Sequence, residues 1–270
     1  MQRAIAVLDS GVGGLTVVKE LMRQLPREKI CYFGDTARTP YGPRLAEEVI
    51  AFTREIVDYL VQFDPKMIVI ACNTATAVAL EDIRCRVSLP VVGVIEPGAR
   101  AAINLTNVDR IGVIGTEGTI KSGAYELALK QLSPRAQVVS LACPSFVPLV
   151  ENGIFRSREA YRAVAEALQP MRSSDIDCLI LGCTHYPFLA APISEAMGNE
   201  VALVHSAEET AREIVSILRA RNELADACAT PVHHFFCSGD PEKFQYIARD
   251  WLGDSIRLTP VVWQVPHIQI

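Results

Sequence analysis

Two cysteines among the eight in this 270-residue chain stand apart by what surrounds them. The set is Cys31, Cys72, Cys85, Cys143, Cys178, Cys183, Cys228 and Cys237. It contains no Cys-x-x-Cys pair, and the chain has no His-x-x-x-His or His-Glu-x-x-His, so no local motif argues for a metal. A free cysteine is ordinarily a small buried apolar residue. Cys72 and Cys183 differ in position. Each ends an apolar run and precedes hydroxyl or amide residues, in Ile68-Val-Ile-Ala-Cys72-Asn73-Thr74 and in Leu179-Ile-Leu-Gly-Cys183-Thr184-His185.

A thiol where a strand leads into a helix lies beside unsatisfied N–H groups and the positive end of the helix dipole, which favours its thiolate. Asn73 or Thr74 is expected to cap the helix after Cys72, and Thr184 to do the same after Cys183. Two opposed thiols suit one reaction well. One removes a proton from a carbon while the other delivers a proton to the opposite face, inverting the centre. Two thiolates about 7 Å apart at an effective dielectric near 20 repel by roughly 2.4 kcal/mol. One thiolate facing one thiol is therefore preferred, which is the state such a reaction needs.

The elements that must position these groups can be read from hydrophobic pattern. Ala4–Leu8, Met67–Ala71, Val91–Ile95, Ile111–Ile114 and Cys178–Leu181 are continuous apolar runs, as in strands covered on both faces. Between them, Leu15 to Leu25 and Ala46 to Gln62 place apolar residues at helical spacing. Asp240-Pro241 can start a helix that stops before Gly253. Alternation of this kind predicts an α/β fold with mostly parallel sheets. The chain also echoes itself. Ala4–Leu8 runs into Asp9-Ser-Gly-Val-Gly-Gly14 and Ile111–Ile114 into Gly115-Thr-Glu-Gly-Thr119, and both the opening strands and the two cysteines are offset by about 110 positions. Two similar α/β halves would place one cysteine on either wall of a cleft between them, beyond the carboxyl ends of their strands. The crossover is placed near Glu96-Pro97-Gly98.

Composition bounds the remaining classes. Half the residues are hydrophobic and 21% are charged, which supports a sizeable core, in about two domains on length alone. Acidic residues outnumber basic ones 31 to 26, for a formal charge of −5, so neither nucleic acid nor an anionic membrane is the expected partner. No apolar run approaches the ~18 residues of a membrane helix. Met1 to Leu8 reaches Asp9 too soon for a signal peptide. A soluble, cytoplasmic protein without a disulfide framework is expected.

Five blocks carry a specific resemblance: Asp9-Ser-Gly-Val-Gly-Gly14, Gly34-Asp-Thr-Ala-Arg-Thr-Pro-Tyr-Gly42, Ala71-Cys-Asn-Thr-Ala-Thr76, Gly93-Val-Ile-Glu-Pro-Gly98 and Leu181-Gly-Cys-Thr-His-Tyr-Pro187. With them the chain resembles, over essentially its whole length, the cofactor-independent glutamate racemases of bacteria, in the aspartate/glutamate racemase superfamily. The resemblance implies that Cys72 and Cys183 are the two catalytic bases. It implies that Asp9 assists Cys72, and that His185, helped by Glu151, assists Cys183. Substrate contacts are implied for Asp9, Ser10, Tyr41, Gly42, Asn73, Thr74, Thr116, Thr119, Thr184 and His185. Also implied are interconversion of L- and D-glutamate for peptidoglycan, no cofactor or metal, and a homodimer. The implied fold is a pair of α/β domains, residues 1–96 with 208–270 and residues 97–207, with the active site between them.

Each assignment has a plainer rival. Asp9 could cap the helix after it, His185 could be a core histidine, and Glu151-Asn-Gly153 and Tyr41-Gly42 could be ordinary turns. His205, His233, His234 and His267 read as structural. A dinucleotide enzyme built on Gly11-Val-Gly-Gly14 is disfavoured, because the spacing is not Gly-x-Gly-x-x-Gly. A non-catalytic amino-acid binder gives no reason for paired cysteines. Aspartate racemases share both cysteines, and the Leu-Gly-Cys-Thr-His-Tyr-Pro context favours glutamate.

Overall fold

The computed structural model describes residues 3–228, 230–253 and 258–260; His267 lies outside them. In chain order the strands are β1 (Ile5–Asp9), β2 (Ile30–Gly34), β3 (Met67–Ile70), β4 (Val91–Gly93), β5 (Arg110–Gly115), β6 (Gln137–Ala142), β7 (Cys178–Gly182), β8 (Ala202–Val204), β9 (His234–Cys237) and β10 (Leu258–Pro260). The helices are α1 (Leu15–Gln24), α2 (Ala46–Val61), α3 (Asn73–Arg86), α4 (Ile95–Leu105), α5 (Glu117–Ser122), α6 (Ala124–Leu132), α7 (Phe146–Glu151), α8 (Arg158–Leu168), α9 (Ala190–Met197), α10 (Ala207–Ala220) and α11 (Pro241–Leu252).

The strands form two parallel sheets, one of order β10-β9-β2-β1-β3-β4 and one of order β6-β5-β7-β8. The continuous apolar runs have the cause expected of them. Successive residues of β1 and β3 enter different cores: Ile5, Val7, Met67 and Val69 join one, Ala6, Leu8, Ile68 and Ile70 the other. With both faces covered, neither can be polar. The first of these cores continues into the second sheet through Ile114, Leu179 and Leu181, so a single apolar mass joins the two halves. Ile111, Val113 and Ile180 pack on the other face of the second sheet.

The chain turns to opposite sides of β1 for β2 and β3, and to opposite sides of β5 for β6 and β7. Such switch points open crevices at the carboxyl ends of the strands, because the connecting loops diverge there. Asp9 and Cys72 lie at one switch; Thr116 and Cys183 lie at the other. At the opposite, amino ends of β2 and β3 lies a buried pair, Lys66 Nζ to Glu28 Oε2 at 2.6 Å. Ala225 N–H donates to Glu28 and Lys66 donates to the Glu223 carbonyl, tying the segment after α10 to that pair.

Local differences from the sequence reading are few. The run Val91–Ile95 is strand only to Gly93, because Val94 and Ile95 already enter α4. Glu96-Pro97-Gly98 thus forms the first turn of the connecting helix, where a proline's missing N–H costs nothing. Asp240 caps α11 as expected, its Oδ1 accepting from Glu242 N at 2.9 Å.

Candidate active site

The first wall is built by the ends of β1 and β3. Cys72 is itself the N-cap of α3, its Sγ accepting from Ala75 N at 3.5 Å and donating to Ser10 Oγ at 3.6 Å. The expected cap by Asn73 or Thr74 is therefore replaced by the sulfur. Both of those side chains are released toward other partners. Thr74 Oγ1 lies 2.9 Å from Thr116 Oγ1 and 3.2 Å from Thr119 Oγ1, across to the second half. The helix end does not make Cys72 a thiolate. Burial, then the Asp9 charge, push its thiol up to about 12, against the pull of the Ala75 N–H and Ser10. The charge of Cys183 adds to this rise, so the two sulfurs share one electrostatic site.

Asp9 is fully buried and does not cap α1, whose N-cap is Gly14. Its Oδ2 accepts from Gly11 N at 3.0 Å, and its Oδ1 accepts from Thr184 Oγ1 at 3.1 Å, a bond between the two halves. Burial raises its pKa above the usual carboxylate value, with the charge of His185 the largest opposing influence.

The second wall departs from the expected strand–helix pattern. After Cys183 comes a 3-10 turn, Tyr186–Leu189, and only then α9, so Thr184 has no helix to cap. In place of a helix end, a relay of side chains backs the cysteine. His185 Nδ1 lies 3.7 Å from Cys183 Sγ, and its Nε2 lies 2.6 Å from Glu151 Oε1 at the end of α7. His185 is 1% exposed and Glu151 9%, so neither a solvated turn nor a carbonyl-bound core histidine describes them. Burial opposes a charged ring, yet the Cys183 sulfur and the Glu151 carboxylate overcome it and hold His185 well above its ordinary value. Burial likewise opposes the Glu151 carboxylate, but the His185 bond and charge outweigh it and lower its pKa.

At its glycine positions the β1 loop has no room for a side chain. A Cβ on Gly11 would lie 2.4 Å from Glu151 Oε1, and one on Gly13 would lie 2.4 Å from Thr184 Oγ1 and 2.6 Å from His185 Nδ1. Their spacing serves close approach of the two walls, not a nucleotide phosphate. Opposite them, Gly42 packs on Thr116, and its carbonyl accepts from Gly118 N at 2.9 Å. The Tyr41 hydroxyl is committed to Asp35, so Tyr41 and Gly42 can offer a ligand backbone groups only. Thr116 caps α5, accepting from Thr119 N at 3.2 Å.

Thus all the residues singled out from the sequence meet at one place. Asp9, Ser10, Cys72, Asn73 and Thr74 come from one half; Thr116, Thr119, Glu151, Cys183, Thr184 and His185 come from the other; Tyr41 and Gly42 close one side. Sequence reasoning missed three supporting groups. Tyr32 donates to the Gly11 carbonyl at 2.7 Å, beneath the β1 loop. Tyr125 donates to Asn73 Oδ1 at 2.7 Å. Asp35 holds Tyr41 and accepts from Ser238 Oγ at 2.7 Å. No local pattern marks the two tyrosines, since each acts on a residue distant in the chain, whereas Asp35 sits in the same block as Tyr41, six residues before it. Among the described residues, Asn73 Nδ2 and Thr39 Oγ1 are buried polar atoms without a protein partner. No cluster of three or more His, Cys, Asp or Glu there could hold a metal ion. No helix among the described residues is long and apolar enough to cross a membrane. Of the other histidines, His233 accepts from Ile30 N at 3.2 Å and His205 lines an outer groove with Glu208 and Arg212, so both lie away from the cysteines.

Comparison with known proteins places the sequence and the fold among racemases. The glutamate racemase of Bacillus cereus (strain ATCC 10987 / NRS 248) is 54% identical over 256 residues, 95% of each chain. The crystal structure of glutamate racemase isoform RacE1 from Bacillus anthracis superposes with a TM-score of 0.92 at 48% identity, covering 98% of each chain. Glutamate racemase from Francisella tularensis, solved in complex with D-glutamate, superposes with a TM-score of 0.88 at 34% identity over 97% of each chain. Residues 5–214, which span both cysteines and every group around them, match the family described as Asp/Glu/Hydantoin racemase. Two cysteine-bearing walls, one ending in a helix N-terminus and the other in a His–Glu relay, are what that match encloses, and the chain belongs to this family.

Proposed function

We propose that this chain is a glutamate racemase that interconverts L- and D-glutamate by proton transfer between the α-carbon and two cysteines, Cys72 and Cys183. The activity is supported by the 54% identity to a glutamate racemase over 95% of both chains. The observation that carries the mechanism is the unequal environment of two sulfurs in one site. Both sulfurs are buried, but Cys72 is pushed up to about 12 by burial and the Asp9 charge, whereas Cys183 lies 3.7 Å from His185, whose ring Cys183 and Glu151 together hold well above its ordinary value. One sulfur faces the Asp9 carboxylate, the other an imidazole backed by a carboxylate.

In the direction begun by Cys183, its thiolate takes the α-proton from one face and the Cys72 thiol gives its proton to the other. The electron pair left by the C–H bond closes the new C–H bond, and the reverse reaction exchanges the roles. His185, with Glu151, serves the Cys183 side. Asp9 serves the Cys72 side, where its charge disfavours a second anion until the thiol is called on to give up its proton. Asp9 also suits the substrate ammonium. The donors left for two carboxylates are the Asn73 amide, the hydroxyls of Ser10, Thr74, Thr116, Thr119 and Thr184, and backbone N–H groups of Tyr41 and Gly42. No step here draws on a metal or an organic cofactor.

The same reading includes D-glutamate supply for peptidoglycan, a cytoplasmic location and a homodimer, all on the family resemblance. It also includes a division into residues 1–96 with 208–270 and residues 97–207, supported by the pairing of β9 beside β2 in the first sheet. The test is racemisation of L- and D-glutamate, with aspartate for comparison, by dialysed, metal-free protein in heavy water. Deuterium is expected at the α-carbon of the product enantiomer. Product formed without that label would exclude exchange through the thiols.

A further inference from the structure

Asn73 is the residue after Cys72, and the two ends of its amide differ in their partners. Its Oδ1 accepts from the Tyr125 hydroxyl at 2.7 Å, while its Nδ2 is buried without a partner. An unsatisfied buried donor is costly unless a ligand completes it. The tyrosine comes from the second half, near the start of α6, and is 2% exposed. Its ring fits between two glycines. A Cβ on Gly98 would lie 3.2 Å from its hydroxyl, and one on Gly182, the residue before Cys183, would lie 3.0 Å from its Cε2. Tyr125 thus touches the backbone beside one cysteine and fixes the side chain beside the other. Burial, reinforced by the charge of Cys183, raises its phenol well above the ordinary tyrosine value, so the hydroxyl keeps its proton to donate.

With the hydroxyl donating to Oδ1, the NH2 is left for a ligand; in the reversed amide the hydroxyl would have to accept from that NH2 instead. Rotated by half a turn, Asn73 would present an acceptor oxygen where a carboxylate must bind, and two acceptors would face each other with no hydrogen between them. We propose that Tyr125 is a positioning residue: it holds the Asn73 amide with its NH2 aimed at a substrate carboxylate beside Cys72. This rests on the racemase reading above and adds a residue to it.

The test is Tyr125→Phe, which keeps the ring between Gly98 and Gly182 and removes only the oxygen. It is compared with Asn73→Ala and with the double variant, in steady-state racemisation of glutamate. A bond that the carboxylate accepts throughout the reaction is read in KM rather than kcat. Tyr125→Phe is expected to raise KM about tenfold and to lower kcat less than about threefold. In the Asn73→Ala background it should add less than a twofold loss, because the amide through which it acts is gone. Unchanged KM in Tyr125→Phe, or losses that multiply in the double variant, would overturn the inference while leaving a racemising wild type intact. A wild-type chain that does not racemise glutamate would overturn both readings.

Discussion

Replacing Gly13 by alanine is a sensitive test of how the walls fit. Gly13 has no positive φ, so an alanine backbone is unstrained there and only the new methyl matters. That methyl would lie 2.6 Å from His185 Nδ1, where ordinary contact begins at 3.4 Å, so the ring must move by about 0.8 Å. Neither side has room to yield. Thr16 N–H donates to the Gly13 carbonyl at 3.0 Å and Thr16 Oγ1 donates to it at 2.9 Å, while Glu151 stands 2.6 Å behind the ring. A misplacement near 1 Å can cost about 10²-fold in rate. We expect kcat/KM for glutamate to fall about 30- to 100-fold, measured by circular dichroism of the amino acid. Overpacking costs about 1–3 kcal/mol, and at this chain length each kcal/mol lowers Tm by roughly 2–4 °C. A variant with at least half of wild-type kcat/KM and an unchanged melting temperature would refute the steric account of the β1 loop.

Cys72→Ser and Cys183→Ser should each lower steady-state interconversion by about 10³-fold or more, with the double variant scarcely worse, because the pair acts as a unit; multiplying losses would argue for independent roles. The His185 ring is raised above its unfolded value near 6.5. Its contribution to stability is therefore complete below about pH 6.5 and lost as pH rises through the folded value. The melting temperature gap between wild type and His185→Asn should be several degrees at pH 6 and should narrow in alkaline buffer; a gap that widens there contradicts the imidazolium–carboxylate pair. Thr116→Val removes the α5 cap and should cost about 1 kcal/mol, seen in thermal melts, together with a several-fold rise in KM from the loss of its contact with Thr74.

Several of these tests fall on contacts that no sequence window contains. Thr184 and Asp9 are bonded although 175 residues separate them, and Tyr125 reaches Asn73 over 52. Capping preferences nominated Asn73, Thr74 and Thr184. The structure gave the cap of α3 to the Cys72 sulfur and left Thr184 without a helix, because side chains at a cleft have competing partners across it. The apolar run Val91–Ile95 overran its strand for a related reason: Val94 and Ile95 are buried in either conformation, so hydrophobicity alone could not end the strand.

What the amino-acid order determined unaided was the alternation of doubly covered strands with amphipathic helices, and the placement of a cysteine just past a strand in each half. These are local properties, set by side-chain period and by β-branching within a few residues. The meeting of those cysteines was decided by tertiary structure, through one apolar core shared by two sheets and glycines that let the walls approach. So was the difference between them. Desolvation and charge at each sulfur sum over every neighbour in space: Asp9 and Ser10 around Cys72, His185 and Glu151 behind Cys183.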